Sequence, residues 1–467
     1  MTRVLFLQNV PFEYMGPMYI SALLKEHGHD CRLIIVSQCP DYLQRIADYD
    51  PGLVAFSTMT GPHRWVLKTA GEIKRQLNKS VILGGPHATF FPEIIEEPCV
   101  DMVCVGEGEF ALLELADRLD RGDNISDIRN LWVKSDHSEI IKNDLRPLID
   151  NLDALPFPDR TLYDDCTLLR SVPAMKFLTG RGCPYRCSFC FNHRFNELHR
   201  GLGKIVRKRG IDSLIKEIKA TADAYNLRLI RFPDDTFTIH KEWLLEFLAR
   251  YKSEVNLPFT GLARANELDE AVIQMLKSSG CLNVFFGVET GDERLRNQVL
   301  KKHLTDKQLL EAANSLRKYG VRFGTYNMFG LPHESLDKSF LTIEFNQKLK
   351  PDYTINNLFQ PYPKTEIADY AVSHGFLDRS PEYLETMNEG SILNLAQINQ
   401  IVNVSRFASL AIKYPFLLPL IKLLVKLPPN RIFKLIFDLS SAPAMKSNMN
   451  LSWMNLVRWG LQLRKIV

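Results

Sequence analysis

The sequence predicts an α/β protein with two successive units of alternating strands and helices, followed by a helical C-terminal region. Short apolar runs alternate with segments of helical spacing over residues 1–135 and again over 173–365, whereas helical patterns dominate from 366 onward. A length of 467 residues, 45% of them hydrophobic, is enough for two or three cores. We therefore expect an N-terminal domain (1–135), a linker (136–172), a second α/β domain (173–365) and a helical region (366–467).

In the N-terminal domain, five apolar runs are predicted as strands of a doubly wound, Rossmann-like parallel sheet. They are 4–7, 32–36, 53–57, 80–83 and 102–105, with helices over 18–27, 65–77 and 110–119. Sheets of this kind bind ligands beyond the carboxyl ends of their strands. Glycines and hydroxyl residues at three of these ends allow close approach of, and hydrogen bonds to, a large flat ligand. The candidate residues are Ser57, Thr58, Thr60, Gly84, Gly85, Pro86, His87, Gly106 and Glu107.

The proline-containing stretch 155–160 marks the linker to the second domain. There, strands are predicted over 175–179, 229–232, 259–263, 284–288, 322–328 and 353–359, and helices over 211–225, 242–253, 270–279 and 306–319. Polar residues or glycine again stand at the strand ends, namely Asp234, Asp235, Arg264, Glu289 and Gly330. A single charged loop residue is more often merely solvated, so it is their shared placement that favours one site. Tyr326, Asn327, Asn356 and Asn357 could face a substrate, or could serve packing.

Three cysteines follow the first strand of the second domain. Cys183, Cys187 and Cys190 have the spacing Cys-x3-Cys-x2-Cys, and Phe189 precedes the last of them. Three thiolates leave one iron of a 4Fe-4S cube open to another ligand, whereas an electron carrier supplies four. Structural zinc is an alternative, because His193 could complete a Cys3His set, although zinc sites usually join two separated pairs of ligands. A magnesium site at the two adjacent aspartates is a further alternative, but no phosphate-binding loop accompanies them.

The cysteine spacing, the aromatic residue before Cys190 and the βα repeats that follow resemble the signature of the radical S-adenosylmethionine (SAM) superfamily. The resemblance implies a partial (β/α)6 barrel, a 4Fe-4S cluster on the three cysteines, and SAM on the open iron. It also implies roles for the residues at matching positions in binding SAM. Asp234 or Asp235 would accept from the ammonium, Arg264 would pair with the carboxylate, Glu289 would accept from the ribose, and backbone near Phe189 and Gly330 would hold adenine.

Residues 1 to about 130 resemble the cobalamin-binding domain that precedes many radical SAM barrels. The resemblance is carried by Ser57, Gly84, Gly85 and the stretches 86–89 and 106–109. In that family the serine and the paired glycines surround the nucleotide tail of the cofactor. The Asp-x-His-x-x-Gly loop of the mutases and methionine synthase is missing, since residues 8–17 contain no histidine. The resemblance therefore implies cobalt without a protein histidine on its lower face.

Together the two resemblances imply a cobalamin-dependent radical SAM enzyme, most simply a C-methyltransferase. Reductive cleavage of SAM would give a 5′-deoxyadenosyl radical that abstracts hydrogen from an unactivated carbon, and methylcobalamin would donate the methyl group. Alternatives are oxidative cyclisation or rearrangement of a lipophilic or tetrapyrrole substrate, a tRNA methylthiotransferase, and a cobalamin sensor. The methylthiotransferase is disfavoured because Cys31, Cys39, Cys99 and Cys104 do not stand where a second cluster would be held. Expected partners are a small-molecule, preferably lipophilic, substrate and an electron donor such as flavodoxin or ferredoxin, without nucleic acid.

The net charge of +4 conceals a basic C-terminal stretch. Residues 411–467 contain nine Lys and Arg and one acidic residue, a net of +8, which leaves −4 for the rest of the chain. The apolar run 414–427 is short for a membrane span and contains lysines. With Trp453 and Trp459, this stretch is expected either to cap the barrel or to contact an anionic membrane surface. Scattered cysteines and an N-terminus without a signal-peptide pattern predict a cytoplasmic protein, which would be peripheral at the inner face of the membrane if the membrane contact forms.

Overall fold

The computed structural model describes residues 1–135, 139–379, 390–449 and 453–464. The chain divides into two compact units. The first contains Met1–Val172, the short segment Leu198–Lys204 and a C-terminal segment from Val457. The second contains Pro173–Glu197 and Ile205–Leu456.

The first unit is built on a seven-stranded sheet. Its strands are β1 (Arg3–Gln8), β2 (Asp30–Ile35), β3 (Leu53–Ser57), β4 (Val81–Gly84), β5 (Met102–Cys104), β6 (Leu131–Lys134) and β7 (Ile140–Lys142), in the order β2-β1-β3-β4-β5-β6-β7. Its helices are α1 (Met15–Glu26), α2 (Tyr42–Tyr49), α3 (His63–Leu77), α4 (Gly85–Phe90), α5 (Glu109–Arg121) and α6 (Thr167–Arg170). The strands β1 to β5 are parallel, which confirms the predicted doubly wound sheet. The strand order reverses between β1 and β3, where such sheets open a crevice for ligands.

The first unit also contains elements that the apolar pattern did not predict. Helix α2 buries only Ile46 and Tyr49, so its periodic signal is short. Strand β6 pairs antiparallel to β5 and β7 pairs antiparallel to β6, and β7 falls within the interval 136–172. Further along that interval, the Asp159 carboxylate accepts a hydrogen bond from Ser21 at 2.6 Å and pairs with Lys25 at 2.7 Å. This part of the chain therefore packs against α1.

The second unit contains six parallel strands in a curled sheet. Its strands are β8 (Ala174–Lys176), β9 (Gly180–Arg181), β10 (Arg207–Lys208), β11 (Leu229–Phe232), β12 (Phe259–Ala263), β13 (Cys281–Glu289), β14 (Arg322–Phe329) and β15 (Tyr353–Leu358). The six-stranded sheet has the order β15-β14-β13-β12-β11-β8, and β9 pairs with β10 separately. Its helices are α7 (Phe191–Leu198), α8 (Ile211–Tyr225), α9 (Lys241–Glu254), α10 (Glu270–Ser278), α11 (Asp306–Lys318), α12 (Leu336–Leu349), α13 (Glu366–Ser373), α14 (Ile398–Lys413), α15 (Leu418–Leu424) and α16 (Arg431–Met449). The last helix, α17 (Trp453–Arg464), begins in the second unit and continues into the first from Val457. This arrangement confirms the predicted partial barrel and the helical C-terminal region.

Alternation along the strands separates the two faces of the curled sheet. Val284, Phe286 and Val288 of β13 are buried in the core formed with the surrounding helices. Phe285, Gly287 and Glu289 therefore point to the inner face. Tyr326 of β14 shares that face, since its ring lies 5.9 Å from the ring of Phe285.

The suggestion that Asn327 and Asn356 face a substrate is wrong. The Asn327 side-chain amide donates to Asn356 at 3.0 Å, and Asn346 of α12 donates to Asn327 at 2.8 Å. Asn356 in turn donates to Ser409 of α14 at 2.9 Å. Both asparagines therefore point outward and join the sheet to its covering helices, which is the packing role that the sequence also allowed.

The C-terminal helices pack on the outer side of the last two strands. A shared core contains Phe329 of β14 and Leu358 of β15 together with Phe407 of α14, Ile421 of α15 and Phe433 of α16. Among the described helices, none is long and apolar enough to cross a membrane.

Candidate functional site

The three cysteines lie on the loop between β9 and α7. Cys183 and Cys187 are each 9% exposed, and Cys190 is half-buried. The loop is held by the Cys190 amide, which donates to the Cys187 carbonyl at 3.1 Å, and by Asn196 of α7, which donates to the Cys183 carbonyl at 2.9 Å. Burial raises the pKa of the Cys190 thiol to about 12, so its ionisation depends on a bound metal.

The donor set of this loop fits a 4Fe-4S cluster better than a structural zinc ion. The His193 ring nitrogen Nδ1 lies 2.5 Å from the Cys190 carbonyl, so this atom is engaged by its own backbone. Across the ranges that the structure describes, no three His, Cys, Asp or Glu side chains converge as they would around a single metal ion. Three thiols on one loop fit the open 4Fe-4S type of cluster, in which each thiolate binds a different iron.

The two adjacent aspartates after β11 lie in different environments. The Asp234 carboxylate is buried, and its Oδ1 accepts hydrogen bonds from the amide and the hydroxyl of Thr179 at 2.9 and 2.7 Å. Burial raises the pKa of Asp234, and Lys208 opposes that effect. Asp235 is exposed to solvent, yet surrounding protein raises the pKa of its carboxyl too. Asp235 also interacts electrostatically with Cys183 and Cys190, which places it beside the cysteine loop.

Arg264 lies directly over the cysteine loop. Its guanidinium carbon is 3.8 Å from the centroid of the Tyr185 ring, and its Nη1 is 4.0 Å from the Cys187 sulfur. Its Nη2 donates to the Lys302 carbonyl. Its Nε is buried and has no hydrogen-bond partner among the described residues. A buried guanidinium with an open donor beside the cluster loop fits a carboxylate ligand.

Glu289 is paired with a lysine that the sequence interpretation did not select. Lys302 Nζ donates to Glu289 Oε1 at 2.5 Å, and both side chains are 9% exposed. The pair crosses the inner face above Gly287, where an added Cβ would lie 1.8 Å from Glu289 Oε1. A side chain at Gly287 would therefore displace the ends of Glu289 and Lys302. Glu289 and Lys302 thus form an ion pair at the end of β13, where the ribose of SAM was expected to bind.

The expected adenine-binding positions lie at two separate loops. Phe189 is half-buried and packs against a core that includes Leu295 and Leu331. Gly330 has a left-handed backbone with φ of 81°, at the turn after β14. That turn is held by Glu334, whose carboxylate accepts from the Leu331 amide at 2.8 Å and from the Ser339 hydroxyl. Burial raises the pKa of Glu334 to about 7.

Ser57, Thr58, Gly84 and Gly85 form one compact corner at the ends of β3 and β4. The Thr58 amide donates to the Gly84 carbonyl at 2.8 Å. Gly85 has φ of 85°, and a Cβ there would lie 2.9 Å from both Ser57 Oγ and the Thr58 nitrogen. The Thr58 hydroxyl is fully buried and lacks a hydrogen-bond partner within the described part of the chain. A glycine cradle with an open buried hydroxyl fits the close approach of a large cofactor.

Beside this corner, Thr60 and His87 meet across the two strand ends. Thr60 Oγ1 lies 3.0 Å from His87 Nδ1. The His87 ring stacks on His63 at 4.2 Å and on Phe91 at 4.8 Å between centroids. Pro86 is exposed in the first turn of α4. The two histidines thus add an aromatic stack that the sequence interpretation did not foresee.

Gly106 and Glu107 make contacts within the first unit. A Cβ on Gly106, whose φ is 85°, would lie 2.8 Å from His199 Nε2. The Glu107 carboxylate accepts from the Ile149 amide at 2.8 Å, and its carbonyl accepts from Asn130. Packing therefore accounts for both residues, and their contact with cobalamin stays a prediction.

The sequence interpretation did not select several residues of the site, because their partners are recognisable only in the fold. They are Tyr185, Lys208, Glu267, Lys302 and Glu334. Tyr185 could have been recognised from the sequence, because it stands inside the cysteine loop. Its hydroxyl donates to Glu267 at 2.6 Å. No spacing in the sequence connects Lys302 with Glu289, since their contact depends on how the chain returns after β13.

Two family models match the chain. The model described as the radical SAM superfamily matches residues 177–344, and the model described as the B12 binding domain matches residues 11–116. The first match spans the cysteine loop and the strands β11 to β14. The second spans β2 to β5 and the Ser57–Gly85 corner.

The chain is similar to curated relatives that are named as methyltransferases and as cyclases. An uncharacterized methyltransferase of Pyrococcus horikoshii is 31% identical over 373 residues, which cover 78% of this chain and 79% of the relative. An anaerobic magnesium-protoporphyrin IX monomethyl ester cyclase of Rubrivivax gelatinosus is 22% identical over 369 residues, covering 75% of this chain and 64% of the relative.

Two solved structures share the fold. The radical S-adenosylmethionine methyltransferase TsrM of Kitasatospora setae, with tryptophan substrate and a SAM analog bound, has a TM-score of 0.67 and 17% identity, covering 82% of this chain and 78% of its own. The cobalamin-dependent S-adenosylmethionine radical enzyme OxsB, with aqua-cobalamin bound, has a TM-score of 0.71 and 16% identity, covering 100% of this chain and 80% of its own.

Proposed function

The chain belongs to the cobalamin-dependent radical SAM methyltransferase family, and we propose that it methylates an unactivated carbon of a small-molecule substrate. The observation that carries the proposal is the position of Arg264, with an open buried Nε, 4.0 Å from the sulfur of the cluster cysteine Cys187. This geometry would hold the SAM carboxylate beside the cluster.

When bound, the cluster and SAM supply a 5′-deoxyadenosyl radical for hydrogen abstraction, and cobalamin supplies the methyl group. Cys183, Cys187 and Cys190 would hold the cluster. For SAM, Asp235 would accept from the ammonium and Arg264 would donate to the carboxylate. Asp234 would have a structural role, because its carboxylate accepts hydrogen bonds from the amide and hydroxyl of Thr179.

The remaining SAM contacts are proposed at Glu289, Phe189 and Gly330. Glu289 can accept from a ribose hydroxyl through Oε2 while Oε1 stays with Lys302. Lys302 would hold that carboxylate in place. Phe189 offers an apolar surface, and the open backbone of Gly330 allows a base to approach.

For cobalamin, we propose contacts from the corner formed by Ser57, Thr58, Gly84 and Gly85, and from the adjacent residues Thr60, Pro86, His87, Gly106 and Glu107. The buried Thr58 hydroxyl is the best candidate for a direct hydrogen bond, because an unpaired buried hydroxyl is costly without a ligand. Gly85 contributes because it has no Cβ, so that Ser57 and Thr58 can pack directly against its backbone.

The substrate is proposed to be small and lipophilic, and the electron donor to be a flavodoxin or ferredoxin. Phe285 and Tyr326 line the inner face of the barrel near Glu289, which provides apolar surface there. The TsrM structure contains tryptophan, a small molecule with an apolar ring system.

Anaerobic reconstitution with iron, sulfide and cobalamin tests the proposed function. With SAM and a strong reductant, the wild-type protein should form 5′-deoxyadenosine, and Arg264→Ala should lose most of this activity while retaining its iron. Arg250→Ala is the matched control, because Arg250 on α9 is partly exposed and pairs with Asp212 and Glu254. Equal activity of Arg264→Ala and wild type would contradict the assigned SAM contact.

A second candidate reaction is oxidative cyclisation, which the similarity to the protoporphyrin ester cyclase favours. Product mass separates the two reactions. With SAM labelled in its methyl group, a methyltransferase transfers the label to product, whereas a cyclase produces an unlabelled product that has lost hydrogen.

A further inference from the structure

The outer side of α16 exposes large apolar side chains. Phe433 and Ala444 face the core, where Phe433 packs with α14. Ile432, Leu435 and Leu439 recur with helical spacing on another side, and Ile432 and Leu439 are 68% and 65% exposed. A helix that is apolar on both sides is normally covered on both sides. The exposed apolar side chains of α16 therefore indicate that another molecule covers its outer side.

The segment around α15 repeats this pattern. Ile421 and Val425 are buried in the same core as Phe433, whereas Phe416 is 78% exposed and Leu423 is 63% exposed. We call the exposed set the C-terminal apolar face; it comprises Phe416, Leu420, Leu423, Leu427, Ile432, Leu435 and Leu439. Large apolar side chains that are exposed in such a number within one segment mark an interaction site.

Basic residues are interleaved with the C-terminal apolar face. Exposed members are Lys413, Lys422, Lys426, Arg431 and Lys434. Between residues 411 and 447 the only acidic residue is Asp438. Nearby, Trp453 is 55% exposed, and Lys446 Nζ lies 5.5 Å from its ring centroid. Apolar side chains combined with lysines and an exposed tryptophan are the composition of helices that lie in a membrane interface.

We propose that the C-terminal apolar face docks on the surface of an anionic lipid bilayer. Its leucines, Ile432 and Phe416 would enter the boundary between headgroups and acyl chains, and its lysines and Arg431 would meet lipid phosphates. A nucleic acid would match the charge but would leave the apolar side chains in water. Docking is independent of the reaction proposed above, although it would place the enzyme at the source of a lipophilic substrate.

Vesicle flotation with the full-length protein tests this proposal. Phosphatidylcholine vesicles, with or without phosphatidylglycerol, are mixed with protein and centrifuged through a density gradient. The protein should float with the anionic vesicles, and added salt should weaken the association because exposed charges are screened. The double variants Leu435→Ser/Leu439→Ser and Lys426→Glu/Lys434→Glu should each reduce the bound fraction, the second by more than about tenfold in apparent affinity.

Two matched substitutions control for general effects on the surface. Leu341→Ser replaces a 45% exposed leucine on α12, and Lys307→Glu reverses an exposed charge on α11. Both should float like the wild type. Because every replaced side chain is exposed, thermal melting should be unchanged for all variants, which verifies that each protein is folded.

Three outcomes would overturn the proposal. The first is no flotation with either vesicle, and the second is equal flotation of wild type and both double variants. The third is concentration-dependent self-association without lipid, measured by sedimentation velocity, that Leu435→Ser/Leu439→Ser abolishes. This last result would identify a second copy of the chain as the occupant.

Discussion

Asp234 and Asp235 are adjacent and chemically identical, but their surroundings assign them different tasks. Asp234 is buried and binds Thr179, whereas Asp235 is exposed beside the cysteine loop. The sequence could place the pair at a strand end but could not separate their roles. The roles differ because the turn after β11 directs Asp234, and not Asp235, toward Thr179. This direction is defined only by the folded backbone.

Alanine substitution of the two aspartates should therefore affect different properties of the protein. Asp234→Ala leaves the amide and hydroxyl of Thr179 unpaired in a buried place, so we expect the free energy of unfolding to fall by about 2 to 3 kcal/mol. Asp235→Ala should leave stability unchanged but weaken SAM binding about tenfold or more, because a charge-assisted hydrogen bond is lost. Urea unfolding and equilibrium dialysis of SAM measure the two effects; a destabilised Asp235→Ala variant with normal SAM affinity would reverse the assignment.

Glu334 should make stability depend on pH. Burial raises the pKa of this carboxyl from 4.5 to about 7 in the folded state, so the folded protein binds a proton that the unfolded chain releases. Stability should then fall as the pH rises from about 4.5 to about 7, by at most about 3 kcal/mol. Thermal melting of the protein across this range should show the decrease.

Glu334→Gln supplies the control for this prediction. The amide cannot ionise, so the variant should lose that part of the pH dependence while keeping a hydrogen-bond acceptor for the Leu331 amide. Glu344→Gln, on the exposed side of α12, should retain the wild-type profile. An unchanged profile for Glu334→Gln would show that this carboxyl is already ionised in the folded protein over the whole range.

At the scale of elements, apolar runs were sufficient to predict the parallel strands and their order along the chain. They could not predict the antiparallel pair β6–β7, whose strands are only four and three residues long, nor helix α2. They also left open which way Asn327 and Asn356 point. Those side chains face outward because α12 and α14 offer Asn346 and Ser409 as partners, and such partners are recognisable only after the helices are placed.

The turn between β4 and α4 should be sensitive to a single methyl group. In Gly85→Ala the added Cβ would lie 2.9 Å from Ser57 Oγ and from the Thr58 nitrogen. We expect cobalamin binding to be lost, as measured by the corrinoid absorption retained after desalting, while iron binding persists. Gly122→Ala is the control, since Gly122 also has positive φ, of 72°, but open space around it. Both variants share the backbone strain, so equal cobalamin binding would contradict the close-contact argument.

For the whole molecule, the two groups of cofactor residues lie in different compact units. Cys187→Ala should therefore abolish iron binding and SAM cleavage but leave cobalamin binding intact. Iron analysis of the wild type should give about four irons per chain, whereas a methylthiotransferase-like protein with a second cluster would give about eight. Loss of cobalamin from Cys187→Ala would show that the two sites depend on each other.

The sequence was most informative where chemistry requires a compact local pattern, as in the cysteine loop. It was least informative where function depends on distant parts of the chain meeting. Lys302 reaches Glu289 only through the return of the chain after β13, and Arg264 reaches the cysteine loop through the curl of the sheet. Curvature brings strand ends together in a way that linear spacing does not encode.

The segment Leu198–Lys204 determines when the first unit can complete its packing during translation. It belongs to the first unit, where the Leu148 amide donates to the Leu202 carbonyl at 2.7 Å and His199 is buried against Gly106. The ribosome releases this segment only after the three cysteines have been made. The N-terminal unit therefore cannot finish packing co-translationally before the cluster loop has left the exit tunnel, and a gene fragment that stops at residue 172 would encode a unit with this corner missing.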